Sequence, residues 1–290
     1  MLFSRTANEI LRGMWFIDPQ TALNYSPLVF NVLEKKATDF DPRPQAVAVR
    51  QTISPDGMNV HPDDDAPDGS IGVVAIHGAM IKHGDLCSWG ADELVAMAQE
   101  FDNDPKIIGQ IWKMDSGGGS VAAIAPYLDF LKSKRKPVVT LSEMSASANY
   151  YIASSTDHIM AENNISSMFG SIGVMVQFAD MMKYYEEKGI KVHTIYADQS
   201  EHKNQAFEEA LKGNYELIRK EALNPLAIQF QEHVKSNRPD LKQIEGVLTG
   251  KMFFASDALK LGLIDSIGNI DAAIEKVKFL ASASSFINEY

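Results

Sequence analysis

The chain has 290 residues, 45% of them hydrophobic and 22% charged, with a formal net charge of −11. That composition excludes a disordered or fibrous protein, and the length suits one large domain with an appendage better than two equal ones. The acidic balance argues against a nucleic-acid or anionic-membrane partner, because such surfaces are held by Lys and Arg on phosphates, and leaves protein or peptide partners.

In chain order, the start Met1-Leu2-Phe3-Ser4-Arg5 lacks a continuous apolar core, and no run reaches the roughly 18 apolar residues of a membrane span. A soluble, cytoplasmic protein is the expectation. An amphipathic stretch (Ile10, Leu11, Met14, Trp15, Phe16) and a second one (Leu28, Val29, Val32, Leu33) are each too short to form a core, and are expected to pack on the main domain or a neighbouring subunit. The segment from His61 to Gly69 mixes prolines, a glycine and an acidic run, which predicts a solvated loop. Cys87 is the only cysteine. It permits no intrachain disulfide, fits a reducing compartment and reads as a small buried hydrophobe.

From Ile71 the pattern becomes short β-branched runs alternating with helical stretches. Strands are expected at Gly72–His77, Ile107–Met114, Val138–Leu141, His158–Ala161, Ile172–Val176 and Val192–Tyr196. Helices are expected at Ala91–Phe101, Ser120–Leu131, Ser147–Ser154, Ala179–Lys188 and from Gln205 to His233, the last kinked or interrupted by Pro225. Such alternation implies an α/β fold of βαβ units with a mostly parallel sheet. The division expected is an N-terminal extension and acidic linker over 1–70, a catalytic domain over 71–277 and a tail over 278–290.

Two motifs carry chemistry. Gly117, Gly118 and Gly119 follow an apolar strand directly, so backbone N–H groups there can approach a ligand as no side-chain-bearing segment could. One strand later, Ser147 stands in the small-residue turn Ser145-Ala146-Ser147-Ala148-Asn149 at a helix start. Position alone makes Ser147 an N-cap. Beside a second donor loop it also suits a nucleophile whose tetrahedral intermediate is held by two amides. Such a serine needs a base, His or Lys. None of the seven histidines has a triad context, and the residues alone do not choose among 27 Lys and Arg. Asp115 reads as a strand-end residue capping the loop, and Tyr150 and Tyr151 as core or pocket wall.

The succession Asp115-Ser116-Gly117-Gly118-Gly119, Met144-Ser145-Ala146-Ser147, Gly170-Ser171-Ile172-Gly173-Val174 and His202-Lys203 resembles the signal peptide peptidase A family, with its Clp-protease/crotonase-type fold. It is closest to the soluble branch that includes capsid-assembly proteases of phages and prophages. The likeness runs from about Ile71 to Val277 and includes Phe254-Ala255-Ser256-Asp257-Ala258 and Gly262-Leu263-Ile264-Asp265. It implies a Ser–Lys dyad of Ser147 and Lys203, with Ser171 orienting the lysine and N–H groups of Gly118 or Gly119 and of Ala148 forming the oxyanion hole. It also implies a serine endopeptidase without metal or cofactor, acting on protein or peptide substrates as a homo-oligomeric ring or dome, in phage head maturation. Three features depart from the family pattern: Gly117 replaces the usual proline, Ala148 and Asn149 stand where two glycines are common, and the loop Ala197-Asp198-Gln199-Ser200-Glu201 before Lys203 is slightly longer and lacks the expected glycine. The alternatives are a cytoplasmic peptide-degrading homologue, a crotonase-like acyl-CoA enzyme, and a non-catalytic assembly scaffold.

Overall fold

The computed structural model describes residues 15–17, 46–84, 88–178, 180 and 182–288. The expectations for Cys87, for Ile10, Leu11 and Met14, and for the Leu28–Leu33 stretch lie outside them.

The elements are β1 (Trp15–Ile17), α1 (Ala46–Val49), β2 (Arg50–Ile53), β3 (Asn59–Val60), β4 (Ser70–His77), α2 (Ala91–Asn103), β5 (Ile107–Ser116), β6 (Gly118–Ser120), α3 (Ile124–Ser133), β7 (Val138–Ala146), α4 (Ala148–Ala153), β8 (His158–Ala161) and β9 (Met168–Gly170). After them come α5 (Met182–Glu187), α6 (Gln205–Leu211), α7 (Asn224–Asn237), β10 (Met252–Phe254), α8 (Ala255–Lys260), β11 (Ser266–Ile267) and α9 (Ile270–Asn288). The main sheet runs β10-β9-β7-β5-β4-β2-β3, with β8 on β7 and β11 on β8. Its centre, β4-β5-β7, is parallel, and only β2, β3 and β10 pair antiparallel. The α/β class with a mostly parallel sheet is the one expected.

Both faces of the sheet are covered, so its central strands are apolar on both sides. On one face Trp112 lies between Tyr127 and Phe130 of α3, with ring centroids 5.7 and 5.6 Å away. On the other, Ala273, Ile274 and Val277 of α9 pack on Ile71, Val73, Ile111, Val139 and Leu141. Helix α2 shows how local sequence sets an element. Leu94, Ala98 and Phe101 fall on one buried stripe, and the Glu93 carboxylate reaches back to accept the N–H of the N-cap Gly90 at 3.0 Å. Asp104, extended before Pro105, ends it.

Three expectations are corrected. No strand forms at Ile172–Val176; the chain instead leaves β9 at Gly170 (φ 133°) and Ser171 (φ 53°), and two successive positive-φ residues cannot continue a ladder. Among the described residues no strand forms at Val192–Tyr196 or pairs with it, and Ile195 is 92% exposed. The expected long helix is divided: α6 stops before Gly213 (φ 85°), and helix resumes at Glu216, passing through a π-helical turn over Arg219–Leu223 directly before Pro225 in α7, a widened turn of the kind that accommodates a missing N–H. Packed structure also extends past both expected domain limits, since β2 pairs with β4 and α9 runs across residue 277.

Candidate active site

Strand β7 has different partners along its two halves. Val139–Ser142 pair with β8 and Met144–Ala146 with β9, while its other edge follows β5 up to Ser116 opposite Ser145. This split register brings the ends of β5, β7 and β9 together. The glycine loop, the turn at Ser147 and the turn at Gly170-Ser171 therefore converge.

The glycine loop is held from behind. The Ser116 hydroxyl donates to the Gly78 carbonyl at 2.5 Å and accepts the Gly118 N–H at 3.1 Å. Met80 bridges the loop, its N–H donating to the Gly118 carbonyl (3.0 Å) and its carbonyl accepting the Ser120 N–H (2.9 Å). A Cβ on Gly119 would lie 2.2 Å from the Met80 carbonyl oxygen, so no other residue fits. Peptide groups alternate direction along a strand, so with Gly118 and Ser120 turned to Met80, the Gly119 N–H faces the opposite edge. Of the two glycine donors expected, Gly118 is already engaged by Ser116 and Gly119 is the outward one.

Ser147 precedes α4 with φ 56° and ψ −121°, and its side chain makes no capping hydrogen bond. An ordinary N-cap is extended and turns its oxygen onto the next amides. Here the backbone itself is anchored, the Ser147 N–H donating to the Gly170 carbonyl (3.0 Å) and its carbonyl accepting from Tyr151 (2.8 Å). The residue is 1% exposed. Among the described residues, the non-glycine positions with positive φ are Ser147, Ser171 and Asn204. Such strain costs about 1–3 kcal/mol each and persists where surroundings over-determine it. Ser171 is buried, and its N–H donates to the Lys251 carbonyl at 3.1 Å.

Sequence reasoning missed the braces. The Ser145 hydroxyl donates to Asn149 Oδ1 (2.7 Å), and the Asn149 amide reaches Met80 Sδ (3.7 Å), which ties α4 to the segment that holds the glycine loop. Asn149 stands four residues after Ser145, a spacing that could have flagged the contact. Tyr150, fully buried, donates its hydroxyl to the Leu263 carbonyl at 2.7 Å, and burial pushes its phenol up so that it stays a donor. That bond gives the Gly262–Asp265 segment its part in the site.

Lys203 is exposed, its N–H donating to the Ser200 carbonyl at 3.0 Å. Among the described residues no hydrogen bond joins it to Ser147 or Ser171. The structure thus brings Ser147, Ser171 and the glycine loop together but leaves Lys203 unbonded to them within one chain. At the ends of β4 and β5, Asp115 lies opposite His77. Partial burial pushes the Asp115 carboxyl up while His77 opposes the shift, and burial pushes the His77 imidazole down. Among the described residues no set of three or more His, Cys, Asp or Glu is placed to hold a metal ion, and no helix is long and apolar enough to cross a membrane.

The sequence profile of peptidase family S49 matches residues 129–284, a stretch that includes Ser147, Ser171 and Lys203. The chain belongs to peptidase family S49. Among proteins similar to this S49 chain, one from Methanocaldococcus jannaschii named as a candidate protease is 29% identical over 198 residues, 66% of this chain and 62% of that protein. Protease 4 of Haemophilus influenzae is 29% identical over 218 residues, 73% of this chain and 35% of its own. The S49 chain therefore spans less than two thirds of the length of either relative. Of solved structures, a mutant of the 1510-N membrane-bound stomatin-specific protease is similar at 15% identity and a TM-score of 0.44, covering 73% of this chain and 86% of that one.

Proposed function

We propose that this chain is a serine endopeptidase with a Ser147–Lys203 dyad. The observation that carries the reading is the conformation of Ser147: a buried, positive-φ serine without a capping bond, at the mouth of a helix and beside the outward amide of Gly119. In its uncharged form Lys203 takes the Ser147 proton. The alkoxide attacks the scissile carbonyl, and the amides of Gly119 and Ala148 hold the oxyanion. Protonated Lys203 then gives its proton to the leaving amine, and water releases the acyl group. Ser171 orients the lysine. The similarity to a candidate protease and to protease 4 supports peptide-bond hydrolysis.

Lys203 reaches Ser147 across a subunit contact in this reading. It lies on an arm over residues 182–228 that exposes Ile190, Val192, Ile195, Tyr215 and Ile228, and such a surface suits association of copies. On the resemblance of its motifs to the soluble phage and prophage branch, its substrates are proteins of an assembling head, trimmed in the host cytoplasm.

Ser147→Ala and Lys203→Met should each abolish cleavage of fluorescein-labelled casein, with far-UV circular dichroism unchanged. Mixing the two inactive variants should restore cleavage, because some contacts then join an intact Ser147 to an intact Lys203. Full activity in either single variant rejects the dyad, and mixtures that stay silent place it within one chain.

A further inference from the structure

Strand β1 stands apart from the main sheet. Trp15–Ile17 pair antiparallel with β6, Trp15 opposite Ser120, Phe16 opposite Gly119 and Ile17 opposite Gly118, and the two form a separate two-stranded sheet. The backbone of β1 also comes against α4, the helix that Ser147 begins. Met80 occupies one edge of the glycine loop, so β1 takes the other edge, the one the Gly119 N–H faces. An extended peptide adds to a protein through this kind of free strand edge, main-chain bonds giving affinity.

We propose that Trp15–Ile17 is an internal occupant of the substrate-strand position, so that the chain holds its own site closed until this segment is displaced or removed. The proposal rests on the peptidase reading of Ser147 and Gly119 and adds a regulator to it. Phe16 is the central residue of the pairing, directly opposite the outward amide of the loop. A peptide substrate lying along Gly118–Ser120 would need the same backbone groups, so occupancy by one excludes the other. Among the described residues the pairing covers Trp15–Ile17 against Gly118–Ser120, the same backbone groups a substrate strand would compete for.

Phe16→Pro in the full chain tests this, because proline removes the N–H that faces Gly119. Ile17→Pro is the matched control, since the Ile17 N–H points away from that edge. In Phe16→Pro, hydrogen exchange of the segment holding Gly119 should speed up and kcat/KM on labelled casein should rise about tenfold through a lower KM, with Ile17→Pro near wild type. A synthetic peptide spanning Arg12–Gln20 should inhibit Phe16→Pro competitively. In a Ser147→Ala background, Phe16→Pro should bind labelled casein more tightly by anisotropy. If exchange speeds up while casein binding and cleavage stay unchanged, the pairing is merely structural and the proposal is overturned, with the peptidase reading intact. Unchanged exchange overturns it as well. If no variant cleaves yet Phe16→Pro binds casein more tightly, the occupant stands and the hydrolytic reading falls.

Discussion

A methyl group at Gly119 would collide with the Met80 carbonyl 2.2 Å away, and the collision is with backbone, so the loop must move rather than the side chain. Gly119→Ala should therefore tilt the outward amide and lower kcat about 10²–10³-fold, the usual loss of one oxyanion donor. Thermal unfolding should show a cooperative transition, and wild-type kcat in this variant would remove Gly119 from the donor set. At this scale the sequence was informative where backbone freedom is the chemistry. A triple glycine after an apolar strand has few other uses, and Ser147 in a small-residue turn pointed to the same place. It was uninformative where a residue acts through a distant partner. Met80 and Asn149 stand far apart in sequence and still touch, and nothing in either residue's neighbourhood announces the contact. Lys203 rested on resemblance, and its exposure within one chain shows why local sequence could not choose it.

Among the elements, those buried on both sides were legible and those lacking a partner were not. Val138–Leu141 and Ile107–Met114 are expected strands because β-branched and apolar residues run together, and each lies in the sheet centre, extended further at its C-terminal end. Val192–Tyr196 has the same local pattern and no strand, because a ladder needs a second strand that sequence cannot supply. Helix α4 illustrates the coupling of elements to the site. It is only Ala148–Ala153, too short to be stable alone, and its buried Tyr150 bonds to Leu263 across the domain. Tyr150→Phe leaves that carbonyl buried and unpaired, which should lower stability by about 1–3 kcal/mol in urea titrations. Because the same bond fixes the helix that carries Ser147, kcat should fall with KM little changed. A variant with lowered stability and unchanged kcat would make Tyr150 a packing residue alone.

For the molecule as a whole, the clasp between α7 and the chain before β11 sets the response to acid. Arg238 at the end of α7 forks onto Asp265, Nη1 to Oδ2 at 3.0 Å and Nη2 to Oδ1 at 2.7 Å, and its Nε donates to the Gly262 carbonyl at 2.9 Å. Asp265 also accepts the Ile159 N–H from β8 at 2.7 Å. Burial alone would push the Asp265 carboxyl up, but the Arg238 bonds and charge and the Ile159 N–H outweigh it and hold the group below its ordinary value. A carboxyl depressed in the folded state contributes stability above its unfolded pKa of about 3.9, and that contribution is lost as pH falls from there through the folded value. The histidines act in an earlier window. Burial pushes His158 and His233 down, so below their unfolded value of about 6.5 the unfolded chain takes up protons that the folded one refuses, and stability falls. Unfolding free energy should thus decline in two stages, first below about pH 6.5 and again below about pH 4. Asp265→Asn leaves Arg238 buried without its charge partner and should cost about 3–5 kcal/mol at pH 7. The gap between wild type and Asp265→Asn should narrow in urea titrations carried from about pH 5 to about pH 2.5, because protonation makes the wild-type clasp resemble the variant. A gap that stays constant over that range would show that the clasp holds by shape rather than by charge.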